Sequence, residues 1–176
     1  MAGLDDSTYC SRKQSTGTPG QWKCDMDKIR VLIIDEHPAV CRALTTRLES
    51  VGSIKVVAST VDYVDGLEDA GALRPDVILL ELKGCNDGGA DAVGQRDPVA
   101  AISRLLASVP AGVIILTSYL DEVERAGALE AGAKRYLLKD IDTVRLVAEI
   151  EAVASERVTV VSPDAIPKQT NHSAKQ

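Results

Sequence analysis

Phenylalanine is missing from this chain, and aromatic residues of every kind make up 3% of it. A core without Phe has to be filled by Val, Ile, Leu and Ala, and an apolar content of 45% supplies enough of them. Positive charge is not in excess either: the net charge is −6, which argues against a nucleic-acid surface on this chain. No apolar run approaches the ~20 residues of a membrane span, and the start lacks a secretory signal pattern. The expectation is a cytoplasmic protein without membrane attachment. The four cysteines (Cys10, Cys24, Cys41 and Cys85) lie far apart with no paired spacing. That favours free thiols in a reducing compartment over zinc or disulfides. His37 and His172 form no metal cluster.

What is present is an alternation. Length allows one domain and some tail. Val77–Leu80 is a short, wholly apolar run between Asp76 and Glu81. It reads as a strand buried on both faces, the middle of a parallel sheet. Ile29–Ile34, Ile54–Ala58, Gly112–Leu116 and Lys134–Leu138 read as further strands, with the Ile54 strand nearer an edge. Helices are expected between them. Pro38 opens the first, with Val40, Cys41, Leu44 and Leu48 on one face and Gly52 closing it. Ser59 or Thr60 offers an N-cap to the second, striped by Val61, Val64 and Leu67. Asp97-Pro98 opens the third, with Val99, Ile102, Leu105, Leu106 and Val109. Leu120–Ala131 is a soft fourth, with Gly127 in its middle. Leu146, Val147, Ile150, Val153 and Ala154 stripe the last. Five strands alternating with five helices predict an α/β doubly wound parallel sheet with helices on both faces. Residues 1–27 lack periodicity and are expected to be disordered. Gly84–Arg96 is expected to be a long loop, and 155–176 a polar tail.

In such a sheet, chemistry collects at the carboxyl ends of the strands. Here those ends carry Asp35 and Glu36, Glu81, Thr117 and Lys139. Three carboxylates crowded together repel unless a cation joins them. Oxygen ligands at that density suit Mg²⁺, and a hydroxyl and an ammonium beside them can hold phosphoryl oxygens.

As a set, Val31–Pro38, Arg74–Glu81, Ile115–Ser118 and Ala131–Asp140 resemble the receiver domain of two-component response regulators, over about Lys28–Ala154. The likeness is to the NarL/FixJ (LuxR-type) branch. It implies the flavodoxin-like (βα)5 receiver fold. It also implies a metal site of Asp35, Glu36, the acceptor at position 81 and the backbone carbonyl of Lys83. Thr117 and Lys139 would be phosphate contacts, and Tyr136 the switch aromatic. A homodimer, or a pair with another receiver, would form through about 120–154, and a histidine kinase would be the phosphate source. Val160–Asp164 is similar to the linker that leads, in that branch, into a DNA-binding domain.

One departure matters most. The acceptor position holds Glu81 where the family has Asp. The longer side chain pushes the carboxylate on the order of 1 Å further into the pocket, and in-line phosphoryl transfer depends on positioning. The resemblance therefore implies a receiver in phosphorelay signalling and transcriptional regulation that works without phosphorylation and is not an enzyme, with Mg²⁺ weak or lost. Asp87 and Asp91 could serve as substitute acceptors, but a solvated loop is the favoured reading for both. The alternative is a haloacid dehalogenase-like Mg²⁺-dependent phosphatase with Asp35 as nucleophile, although His37 stands where that class has a second Asp.

Overall fold

The computed structural model describes residues 28–83 and 98–158. The expected N-terminal extension, the loop carrying Asp87 and Asp91, and the tail beyond 158 lie outside the described residues. Within them the alternation holds: β1 (Ile29–Ile34), α1 (Pro38–Glu49), β2 (Ile54–Thr60), α2 (Tyr63–Leu73), β3 (Val77–Leu80), α3 (Pro98–Ser108), β4 (Gly112–Thr117), α4 (Glu122–Glu130), β5 (Arg135–Leu138) and α5 (Thr143–Val158). All pairings are parallel, in the order β2-β1-β3-β4-β5. β3 is thus the central strand and β2 an edge, as their apolar patterns predict.

Side chains alternate between the two faces of each strand, and that alternation divides the core. Val31, Ile33, Val77, Leu79, Ile114 and Leu116 face Cys41, Leu44 and Leu48 of α1 and Leu146, Ile150 and Val153 of α5. Leu32, Ile34, Ile78, Leu80, Val113 and Ile115 face α2, α3 and α4. The α5 face packs closely at Gly112, where a Cβ would run into the Val153 side chain. Tyr63 takes much of the space a Phe would fill, and its buried hydroxyl donates to the Ala101 carbonyl at 2.6 Å.

The structure corrects several boundaries. Asp62, not Ser59 or Thr60, caps α2, accepting from the amides of Val64 and Asp65, because β2 runs on through Thr60. That phase turns Val61 and Val64 outward and buries Tyr63, Gly66 and Ala70 instead. Val99 is likewise exposed, and Ala101 takes its place in the core. Asp121 caps α4 through the amides of Val123 and Glu124, so this helix starts at Glu122 rather than Leu120. α5 continues four residues past Ala154.

Candidate functional site

The backbone ladder extends one residue past the strands and fixes the site. The Asp35 amide donates to the Thr60 carbonyl at 3.0 Å, the Glu81 amide to Ile34 at 2.9 Å and the Lys139 amide to Thr117 at 2.8 Å. Asp35, Glu81 and Lys139 therefore leave the sheet at one edge. Asp35 and Glu81 are 2% and 3% exposed, and nothing so buried stays charged without partners.

Lys139 is the partner. Its Nζ lies 2.6 Å from Asp35 Oδ2 and 2.5 Å from Glu81 Oε2. The other oxygens are engaged as well. Asp35 Oδ1 accepts the His37 amide at 2.9 Å, with the His37 ring Nδ1 at 3.3 Å. Glu81 Oε1 accepts the Lys83 amide at 3.4 Å. Burial works to lower the Lys139 pKa, but its hydrogen bonds and charge contacts with Asp35 and Glu81 outweigh burial and leave it raised. Cys41 packs beneath, its thiol against the Asp35 carbonyl at 3.4 Å, and burial pushes that thiol up. A neutral, buried thiol of this kind is inert.

Three expected ligand carboxylates become two. Glu36 is exposed, and among the described residues no group of three or more His, Cys, Asp or Glu stands so as to hold a metal ion. In this arrangement Asp35 and Glu81 are drawn to Lys139, and Glu36 stands apart from them. The four oxygens of Asp35 and Glu81 already face protein donors, and an ammonium sits between the two groups.

Thr117 is buried, and its hydroxyl donates to the Tyr119 carbonyl at 3.0 Å. It thus closes on its own strand end instead of on the ion-paired groups. Tyr136 is buried too, and its hydroxyl donates to Glu124 Oε1 on α4 at 2.6 Å. Burial first, then the Glu124 hydrogen bond and charge, push its pKa up to about 12. Two further features escaped the sequence: the Glu124 acceptor, and the Lys83 Nζ lying 3.0 Å above the centre of the Tyr119 ring. A hint of the second was available. Lys83 and Tyr119 each stand two residues beyond a site residue, Glu81 and Thr117, on strands that pair.

Comparison with known proteins agrees with this geometry. Residues 31–151 match the response regulator receiver domain family. The chain is 35% identical over 126 residues to the transcriptional regulatory protein LiaR of Bacillus subtilis (strain 168), covering 72% of this chain and 56% of LiaR. It is 27% identical over 149 residues to the response regulator protein VraR of Staphylococcus aureus (strain NCTC 8325 / PS 47), covering 84% of this chain and 66% of VraR. The chain thus spans only about half to two thirds of the length of these relatives. Among solved structures, the signal receiver domain of the putative response regulator NarL from Mycobacterium tuberculosis superposes with a TM-score of 0.63 at 25% identity, over 73% of this chain and 98% of that one. On these matches and on its five-stranded parallel sheet, the chain belongs to the response regulator receiver domain family.

Proposed function

We propose that this receiver signals without being phosphorylated, as a protein-interaction module in transcriptional regulation, and that it is not an enzyme. The observation that carries this reading is Lys139 holding Glu81 and Asp35 together, at 2.5 and 2.6 Å. A carboxylate at position 81 already occupies the ammonium that would otherwise meet a phosphoryl group. Its one negative charge is less than the nearly two of an acyl phosphate, so the mimicry is partial. Lys139 offsets one of the two buried negative charges and stands where a cation would otherwise join them, so Mg²⁺ binding is weak or lost.

The output is association with a second copy or another receiver through about 120–154, the surface that Tyr136 and α4 share through Glu124. A histidine kinase is not required, this chain makes no nucleic-acid contact of its own, and the setting is cytoplasmic. No helix among the described residues is long and apolar enough to cross a membrane. The phosphatase alternative gains no support from the site. Its nucleophile would be Asp35, whose oxygens are held by Lys139 and the His37 amide.

The test is intact-mass measurement after incubation with acetyl phosphate and Mg²⁺. The native chain should gain no stable phosphoryl group, and Glu81→Asp should gain one at least in part. Stable one-to-one labelling of the native chain would overturn the reading.

A further inference from the structure

We propose that Lys83 and Tyr119 form a clasp across the carboxyl edge of the sheet, which restrains the segment between β4 and α4 and fixes the Thr117 hydroxyl. This goes beyond the function proposed above and does not depend on whether position 81 can be phosphorylated.

The contact joins two strand exits that are neighbours in the sheet. Lys83 follows β3, and Tyr119 follows β4. The Lys83 ammonium stands 3.0 Å from the ring centre, well inside the ~6 Å over which a cation is attracted to an aromatic face. An isolated lysine on a half-exposed tyrosine would be incidental, but here both ends are tied into the site. The Lys83 amide donates to Glu81 Oε1 at 3.4 Å. The Tyr119 carbonyl accepts the Thr117 hydroxyl at 3.0 Å, and the Tyr119 amide lies 3.5 Å from the same oxygen. A path of contacts therefore runs from the Glu81 carboxylate through Lys83 to Tyr119, and from Tyr119 back to Thr117.

The far end of the segment has its own anchors. Asp121 caps α4 with two bonds of 2.9 Å, and Glu124 accepts from Tyr136. Ser118, Tyr119 and Leu120, between those anchors and β4, are exposed. Such a stretch, with little buried surface, opens locally unless side chains hold it. The clasp supplies that hold at the β4 end. Its release would loosen Thr117 and, through the segment, the α4 carboxylate on which Tyr136 rests.

Amide hydrogen exchange of Ser118–Asp121 in the full chain tests this, with α5 amides as the internal reference. Lys83→Gln and Tyr119→Leu should each speed exchange in the segment by about two- to fivefold, the size expected for losing a partly exposed cation–π contact. The double variant should add little to either single change, because each already removes the same contact. Lys83→Arg and Tyr119→Phe keep a cation and a ring, and should stay near native. The clasp is refuted by any of three results: native exchange in Lys83→Gln or Tyr119→Leu, equal acceleration in the conservative variants, or acceleration spread equally over α5.

Discussion

Lys139 and Glu81 meet at 2.5 Å although they leave the sheet from β5 and β3, with β4 lying between those strands. Lys139 also reaches Asp35 at the end of β1, so one ammonium ties three strand exits together. Breaking a buried ion pair by removing one partner costs about 3–5 kcal/mol, because the remaining charge is left without compensation. Lys139→Met should therefore lower unfolding stability by about that amount in urea. Adding Glu81→Gln should restore part of it, since only one of the two carboxylates then stays charged. A Lys139→Met variant as stable as native would mean that the pairs contribute nothing.

The alkaline limit of stability follows from the two raised pKa values. Lys139 and Tyr136 both hold their protons more tightly in the folded state. The stability each contributes is fully present below its unfolded pKa and is lost as pH rises through its folded value. For Tyr136 that window runs from about 10, the ordinary tyrosine value, to about 12. An NMR titration should find the Tyr136 ring ionising near the top of this range, and Glu124→Ala should bring its titration earlier. Titration of Tyr136 at the ordinary value would show that its hydroxyl is neither buried nor held by Glu124.

Magnesium should have little effect on the native chain. Lys139 already stands between the carboxylates, so millimolar Mg²⁺ should leave the melting temperature unchanged. Any ligand binding only the folded state would raise it, with a stabilisation that grows as the logarithm of its concentration over Kd. A clear upward shift with Mg²⁺ would show that a metal displaces or joins the ammonium.

The packing of α5 on the sheet can be tested away from the site. Gly112→Ala places a methyl group against Val153, and overpacking of this kind costs about 1–3 kcal/mol. Gly71→Ala serves as the control, since a Cβ there meets nothing within 4 Å. A Gly112→Ala variant as stable as the native chain would mean that α5 yields freely.

Much of this was readable from the residues because buried parallel strands announce themselves. Val77–Leu80 and Val31–Ile34 are apolar runs that stop on carboxylates, and their order fixes which strand ends share an edge. Helix phase was harder to read. Val61 and Val64 look like a stripe until Asp62 is seen to cap α2, which rotates Tyr63 inward. The site residues were legible by position, but their partners were not. Sequence places Asp35, Glu36 and Glu81 together as three like charges, yet backbone direction after β1 turns Asp35 in and Glu36 out. The reach of Lys139 to both carboxylates, the Tyr136–Glu124 bond and the Lys83–Tyr119 contact depend on rotamers that no spacing rule encodes.

The charge of Glu81, held by Lys139, is proposed to set the state of this receiver. Glu81→Gln tests it most directly, because it keeps the size of the side chain and removes the charge. The measurement is the dimer dissociation constant by analytical ultracentrifugation, read beside the Tyr136 ring resonances of the same samples. Association should be weaker in Glu81→Gln, and the Tyr136 ring should leave its buried position against α4. Identical dissociation constants and identical Tyr136 resonances in the native chain and the variant would contradict this.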